Sequence, residues 1–202
     1  MNPAQKDNSH LAAKVALRRR LVGLLSAGPA AVRVLETHAG EGRLRALCYG
    51  GLDVLSVDIR QDAPDAVHCD SRLLLRSKTL DIARFTLVDI DAYGKPWEHV
   101  WLVSQRKQRV AGELFGLVMT SGDSGQLAAR NSNLRRAGWS TQMAAALGVD
   151  AATSHKWFIG RRGAERKAQG FIAAWFTGWH VERWWSICGG KGVWYFAVLL
   201  RG

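Results

Sequence analysis

The sequence predicts an α/β fold, a mostly parallel β-sheet that ends in an antiparallel hairpin. Short apolar runs rich in Val, Leu and Ile alternate with segments of helical periodicity, which is the pattern of βαβ units. Each of the first three runs either ends in an acidic residue or is followed by one. The last two runs are separated only by the glycine-rich turn 189–192, which is typical of an antiparallel hairpin.

The elements follow from these runs in chain order. Leucines and valines at helical spacing predict a first, amphipathic helix, which Gly28 and Pro29 terminate. Asp70 is placed to cap a short leucine-rich helix. The predicted helices lie at residues 9–25, 44–48, from 71 onward, 97–107 and about 164–179. The predicted strands are residues 33–36, 53–59, 66–69, 85–91, 114–120, 181–188 and 193–200.

Length and composition favour a globular cytoplasmic protein. A chain of 202 residues can form one domain with a full core, so we expect a single domain, 1–202, that carries a basic helical insertion at 122–165. The longest apolar run, 193–200, is shorter than the ~20 residues that span a bilayer, and the polar N-terminus lacks a signal-peptide core. Three scattered cysteines fit a reducing compartment and argue against a structural metal site.

The net charge favours a polyanionic partner. The chain has 28 Lys and Arg against 17 Asp and Glu, a formal charge of +11. The basic residues cluster at 18–20, 130–136 and 156–167. Neutralising phosphates releases counterions and adds affinity, so we expect a nucleic acid, RNA or DNA, as partner and no membrane. Ordinary solubilising charge is the alternative, and the sequence does not specify an oligomeric state.

The stretch "VLETHAGEGRL", residues 34–44, indicates a ligand site. An apolar strand ends in Glu36, and Gly40 and Gly42 follow in a turn. A dinucleotide-binding GxGxxG would need glycine where Arg45 stands, and no GxxxxGK[ST] occurs. The remaining possibility is a ligand that carries a nucleoside but no pyrophosphate.

Acidic residues at strand ends fit such a ligand. Glu36 ends the first strand, Asp58 ends the second about 20 residues later, where ribose hydroxyls are usually bound, and Asp70 follows the third. In a parallel sheet all three lie along the carboxyl edge, where ligands bind. A single acid there is often only a helix cap.

Over residues 32–200 the chain resembles class I S-adenosylmethionine-dependent methyltransferases, whose fold is a Rossmann-like seven-stranded sheet with this terminal hairpin. The THAG wording is closest to the ribosomal-RNA adenine methyltransferases. The resemblance implies S-adenosyl-L-methionine as cofactor. It implies that Glu36 faces the methionine amino group, that Asp58 takes the ribose hydroxyls, and that Asp70 and Ser71 meet the adenine edge. The full set of implied cofactor-binding residues is Glu36, Thr37, His38, Ala39, Gly40, Gly42, Asp58, Ile59, Asp70, Ser71 and Asp89.

A second motif, "LVDIDAYGKPWEH", follows the fourth strand. Asp89 and Asp91 are two residues apart and share a face of the strand. The stretch resembles the [DN]PP[YF] motif of amino-methyltransferases and the DPFG form of tRNA guanine N2-dimethyltransferases, with Ala92 in place of the proline. The resemblance implies that Asp91, helped by the Ala92 carbonyl, accepts the hydrogens of an exocyclic base amine, that Tyr93 stacks on the extruded base, and that Asp89 assists beside the cofactor. The alternative is that both acids cap the helix at Trp97.

The basic insertion contains "MAAALGVDAATSHKWFIGRRG", which resembles the helix-turn-helix of repressor-type DNA-binding domains. Residues 143–147 form the first helix and 151–158 the recognition helix in this interpretation. The alternative is a helical wall of the target cleft.

These observations predict an S-adenosylmethionine-dependent methyltransferase that acts on nucleic acid, at a base exocyclic amine. Two alternatives stay open. One is a methyltransferase of small molecules or proteins. The other is a catalytically inactive nucleic-acid-binding protein on a methyltransferase scaffold.

Overall fold

Seven strands form one sheet in the computed structural model, which describes residues 10–92, 96–122, 161–189 and 193–202, with only the backbone of 161–164. The strand order is β3-β2-β1-β4-β5-β7-β6. The first five strands pair in parallel, and β7 pairs antiparallel with both β5 and β6. The predicted fold class is therefore confirmed. The strands are β1 (Arg33–Glu36), β2 (Asp53–Asp58), β3 (Ala66–His68), β4 (Leu87–Ile90), β5 (Leu114–Ser121), β6 (His180–Cys188) and β7 (Trp194–Arg201).

The helices lie close to the predicted positions, with shifted ends. The last described helix ends at Trp175 instead of continuing to 179, because the turn that follows places Gly178 at a φ of 80°. Strand β4 is shorter than predicted, since the Phe85 amide bonds to the Ile82 carbonyl in a turn and Asp91 follows the strand. The described helices are α1 (Leu11–Ser26), α2 (Arg43–Cys48), α3 (Ser71–Arg76), α4 (Trp97–Ser104) and α5 (Arg161–Trp175).

Helices cover both faces of the sheet. On one face, residues of α3, α4 and α5 pack with β1, β4, β5 and β7. On the other face, α1 packs through Leu17, Leu21 and Leu25. Gly116 of β5 lets α1 approach closely, because a Cβ there would lie 2.9 Å from Cδ1 of Leu25. The same helix places two cations beside the acids at the end of β4.

Several predicted features lie outside the described residues. They are Tyr93, the basic runs 130–136 and most of 156–167, the insertion beyond residue 122 up to 160, and the helix-turn-helix interpretation of 143–158. In the part of the chain that the structure describes, no helix has the length and apolar character needed to cross a bilayer. Within the same residues, no group of three or more His, Cys, Asp or Glu side chains is arranged to hold a metal ion.

Candidate functional site at the carboxyl edge of the sheet

The strand order reverses direction at β1, which has β2 on one side and β4 on the other. In open α/β sheets, ligands bind outside the carboxyl ends of the strands at such a switch point. Glu36, the last residue of β1, is in register with Ser56 of β2 and Asp89 of β4. Asp58 ends β2, and Asp70 follows β3. The predicted acidic residues therefore share one edge of the sheet.

The loop after β1 forms a tight bend at this edge. Gly40 and Gly42 have φ angles of 57° and 72°, a conformation that residues with a Cβ rarely adopt. The Ala39 amide donates to the Val57 carbonyl (3.1 Å) and thereby fixes the loop against β2. A Cβ built on Gly40 would meet no described atom within 4 Å. The backbone at Gly40 is therefore open to close approach by a ligand.

The Glu36 carboxyl is buried, with 1% of the residue exposed. The Ser56 hydroxyl donates to Oε2 at 2.8 Å, whereas Oε1 is buried and has no hydrogen-bond partner in the described part of the chain. Burial and the nearby charge of Asp89 raise the pKa of Glu36 to about 8. A buried polar atom without a partner costs free energy, so this oxygen is suited to receive a donor from a ligand.

Asp58 connects the loops that follow β1 and β2. Its Oδ2 accepts the Gly40 amide at 2.7 Å, and its Oδ1 accepts the Arg60 amide at 2.9 Å. A carboxylate has about four acceptor positions, so both oxygens can accept further bonds. Beside it, Ile59 is 69% exposed, which is unusual for an isoleucine and leaves an apolar surface next to the acid.

Asp70 and Ser71 begin α3. As predicted, Asp70 is the N-cap, and its carboxylate accepts the Arg72 amide at 2.8 Å. The hydrogen bond from the Arg72 guanidinium lowers the pKa of Asp70 to about 2. Ser71 is buried, and its hydroxyl lies 2.9 Å from Nε2 of His99 in α4.

His38 lies in the middle of these groups. Its Nδ1 is 2.8 Å from the hydroxyl of Thr37, and that hydroxyl donates to the Asp89 carbonyl at 3.2 Å. The His38 ring meets the His99 ring edge to face, with 4.9 Å between the centroids. The loop after β1 is thereby joined to both β4 and α4.

Asp89 differs from the prediction. Its side chain is fully buried. Nε and Nη2 of Arg18 each donate to it at 2.7 Å, as does the Tyr49 hydroxyl. The prediction that Asp89 contacts the cofactor or assists catalysis is corrected, because its carboxylate is enclosed by protein groups. The same contact removes Arg18 from the basic cluster at 18–20, and although burial alone lowers the pKa of Arg18, Asp89 and Asp91 raise it well above its ordinary value.

Asp91 follows β4 at the carboxyl edge of the sheet, with 13% of its side chain exposed. Nζ of Lys14 donates to Oδ2 at 2.8 Å, and the Thr120 hydroxyl donates to Oδ1. Burial raises the pKa of Asp91, but Arg18 and Lys14 outweigh it and hold the pKa below its usual value. The N-cap of α4 is Pro96, and no side-chain hydrogen bond from the described residues caps the helix, so the alternative that Asp89 and Asp91 serve as its caps is wrong.

The sequence interpretation missed the residues that hold these acids, namely Lys14, Arg18, Tyr49 and Thr120. One signal was available. Lys14 and Arg18 are four positions apart and therefore share a face of α1, and Arg18 lies within the apolar stripe of Leu17 and Leu21. A charged residue within an apolar stripe is rarely fully buried unless it is paired, so its position predicts a buried acidic partner.

Comparison with known proteins identifies structures with a similar fold. No family model and no curated protein sequence matches the chain. An O-methyltransferase from Bacillus cereus, solved in complex with SAH, superposes with a TM-score of 0.52 at 14% identity, covering 95% of this chain and 81% of that one. The chain has a methyltransferase fold. A SAM-dependent methyltransferase from Archaeoglobus fulgidus superposes with a TM-score of 0.47 at 15% identity, with 94% of both chains covered. A magnesium protoporphyrin IX methyltransferase from Synechocystis PCC 6803 with bound SAH gives 0.45 at 12% identity, covering 100% of this chain and 88% of that one.

Within this methyltransferase fold, the site lies between the carboxyl ends of β1, β2 and β4, and we call this region the crevice. It combines four features. They are a glycine bend, a buried acid with an open acceptor atom, an acid beside an exposed isoleucine, and a partly exposed acid between two donors. The first three suit a ligand with an ammonium group and a nucleoside. The fourth suits a second ligand with a hydrogen-bond donor.

Proposed function

We propose that the protein is an S-adenosylmethionine-dependent methyltransferase that acts on nucleic acid and methylates an exocyclic amine of a base. The observation that carries this proposal is Oε1 of Glu36, a buried acceptor that no described residue satisfies, at the switch point of a methyltransferase-fold sheet.

The residues of the crevice fit the cofactor by chemical type. Glu36 would hold the methionine ammonium, because the charged form of this carboxyl needs a cation where it is buried. The open backbone at Gly40 would admit the methionine end, and the free acceptor positions of Asp58 would take the ribose hydroxyls. Ile59 would cover the adenine face, with Asp70 and Ser71 at the adenine edge. Bound there, the cofactor supplies an electrophilic methyl group on a sulfonium.

Asp91 is our candidate for positioning the target amine. The lone pair of an exocyclic amine is delocalised into the base, so the reaction depends on positioning more than on acid or base strength. Lys14 and Thr120 fix the Asp91 carboxylate, and the lowered pKa keeps it ionised as an acceptor. The Ala92 carbonyl and stacking by Tyr93 complete the arrangement that the sequence motif predicts.

Charge supports a nucleic-acid substrate. The chain carries a formal charge of +11. Arg19, Arg20 and Arg43 are exposed on α1 and α2, and no acidic side chain of the described residues pairs with them. Helix α1 also contains Lys14, which forms an ion pair with Asp91. The helix that bears Arg19 and Arg20 therefore reaches the crevice. Phosphate binding by such a surface would place a base near Asp91.

The test is transfer of a labelled methyl group from S-adenosylmethionine to unmodified RNA and, separately, to unmodified DNA, followed by nucleoside analysis. We expect label in an N-methylated base of one of the two polymers. Label confined to protein or to small molecules would contradict the nucleic-acid substrate.

Asp91→Ala tests the catalytic assignment. We expect this variant to lose transfer and to bind the cofactor as the wild type does, because Asp91 is assigned to the amine alone. An active Asp91→Ala variant would contradict the assignment.

A wild type that binds nucleic acid but neither the cofactor nor its product would instead favour the inactive binding protein. The three free cysteines, Cys48, Cys69 and Cys188, fit the cytoplasm as the location of this activity.

A further inference from the structure

The contacts around His38 favour one tautomer of its ring. The Asp89 carbonyl can only accept, and we assign the single hydrogen of the Thr37 hydroxyl, 3.2 Å away, to it. The Thr37 oxygen must then accept from Nδ1 of His38, 2.8 Å away. In the neutral ring, Nδ1 therefore carries the hydrogen, and Nε2 has a free lone pair.

Nε2 of His38 makes no hydrogen bond to any described residue, and His38 is only partly buried. The ring is held on one side by the Thr37 hydroxyl and on another by the edge-to-face contact with His99. A lone pair that is oriented from two sides and has no partner among the described residues is suited to accept a proton from a ligand.

Of the other acceptors of the crevice, Glu36 and Asp58 are assigned to the cofactor, and the remaining three are less suited to that task. Both oxygens of Asp89 are occupied by Arg18 and Tyr49. Cations hold the pKa of Asp91 below its usual value, which makes this carboxylate a good hydrogen-bond acceptor and a weak base. In His99, Nε2 meets Ser71, Nδ1 is buried, and burial lowers the pKa to about 3.

We propose that His38 is a catalytic residue that receives the proton released by the target amine during methyl transfer. The inference rests on the proposed function and deepens it. The amine nitrogen uses its lone pair to form the N–CH3 bond while the S–CH3 bond breaks and sulfur keeps the electron pair. The nitrogen then loses one proton to Nε2, and the resulting imidazolium returns it to water. Asp91 orients the amine in this division of labour, and His38 takes the proton.

The surroundings of His38 set how its charge depends on pH. Burial lowers the pKa of His38, so the ring is neutral near pH 7, and the acids at the strand ends oppose this effect and stabilise the transient imidazolium. The charged and titratable groups near the ring are Asp89 from β4, Asp91 just after β4, Asp58 from β2, Asp70 before α3, and His99 from α4. Acidification protonates Nε2 and removes the acceptor.

Two substitutions of His38 separate the roles of its nitrogens. His38→Asn keeps a donor near the Nδ1 position and removes the acceptor at Nε2, whereas His38→Gln puts an amide near the Nε2 position. This role replaces the cofactor contact that the sequence resemblance implies for His38. We therefore expect both substitutions to lower the rate constant of methyl transfer to unmodified RNA or DNA roughly 100-fold and to leave S-adenosylmethionine affinity within about twofold. The acidic limb of the wild-type pH–rate profile should disappear in both. His180→Asn, at the exposed start of β6, is the matched control and should behave as the wild type.

A measurement without substrate tests the same inference. Nitrogen-15 NMR of the histidine rings in the full chain should show His38 as the Nδ1–H tautomer at neutral pH. An Nε2–H tautomer, or variants that retain the wild-type rate and pH profile, would overturn the role of His38. Loss of cofactor affinity together with activity in His38→Asn would also overturn it, by showing a role in holding the cofactor. A wild type that fails to bind S-adenosylmethionine would instead refute the proposed function.

Discussion

At the scale of single residues, the site contains two buried carboxyl groups that differ in whether protein groups satisfy their hydrogen bonds. Glu36 is buried with an open acceptor atom, so its charged form is disfavoured until a cation arrives. Asp89 is equally buried, but Arg18 and Tyr49 satisfy it. The first arrangement leaves a place for a ligand, whereas the second is structural.

Arg18→Met should destabilise the protein strongly. The substitution leaves the Asp89 carboxylate buried without its cation, which costs about 3–5 kcal/mol. Tyr49→Phe removes one hydrogen bond to a charged group and should cost about 1.5–3 kcal/mol. Denaturant unfolding at pH 7 measures both free energies, with exposed Arg19→Met as the control within about 0.5 kcal/mol. Equal stability of Arg18→Met and wild type would show that the pair is not buried as described.

The raised pKa of Glu36 predicts how stability changes with pH. Between the ordinary value of 4.5 and the folded value of about 8, the folded state binds more protons than the unfolded state. The stability contributed by Glu36 is therefore complete below pH 4.5 and is lost as the pH rises towards 8. Glu36→Gln removes this term, at about 1.4 kcal/mol per pKa unit.

We therefore expect the free energy of unfolding of Glu36→Gln, relative to wild type, to increase between pH 5 and pH 8.5. Denaturant titrations of the two proteins across this range measure the difference. A difference that stays constant with pH would mean that the pKa of Glu36 is not raised.

At the scale of secondary-structure elements, α1 connects the fold to the site. Its leucines pack on the sheet over Gly116, and its cations reach the acids at the end of β4. The hydrophobic contact positions the helix, and the ion pairs follow from that position. Displacement of α1 would therefore disturb Asp89 and Asp91 together.

A second connection fixes the entry to β4. Nζ of Lys107 is buried and donates to the carbonyls of Ala83 and Phe85 at 2.9 and 3.0 Å and to Glu113 at 2.6 Å. Lys107→Met leaves these acceptors without their donor and should cost about 3–5 kcal/mol. The exposed Lys78→Met is the control, and thermal or denaturant unfolding measures both. A loss for Lys107→Met no larger than that for Lys78→Met would contradict this role.

At the scale of the whole molecule, the alternation of strands and helices was enough to predict the sheet and the acids along its carboxyl edge. Each of Glu36, Asp58 and Asp70 could be placed because parallel strands end at one edge. The position of α1 could not be predicted, since it depends on packing between Leu21, Leu25 and Gly116, which are far apart in sequence. For that reason the sequence interpretation counted Arg18 in the basic cluster at 18–20 and Asp89 among the cofactor-binding and catalytic residues.

The net charge of +11 predicts salt-dependent binding to nucleic acid. Affinity for single-stranded RNA should fall linearly on a logarithmic salt scale, with a slope of about −0.7 per phosphate neutralised. Fluorescence anisotropy with labelled RNA from 50 to 300 mM NaCl measures this slope. Arg19→Ala and Arg20→Ala should each make it shallower, whereas Arg201→Ala, whose guanidinium pairs with Glu182, should not. A slope near zero for the wild type would contradict phosphate binding.

The central claim is that a nucleoside-bearing sulfonium binds across the tips of β1 and β2, and calorimetric titration with S-adenosylmethionine tests it most directly. We predict one binding site per chain in the wild type. In Asp58→Ala the affinity should be at least tenfold weaker, a loss of about 1.4 kcal/mol in binding free energy. Asp62→Ala, which removes an exposed acid paired with Arg60, should bind as the wild type does. Absence of binding to the wild type, or equal affinity in Asp58→Ala and Asp62→Ala, would contradict the claim.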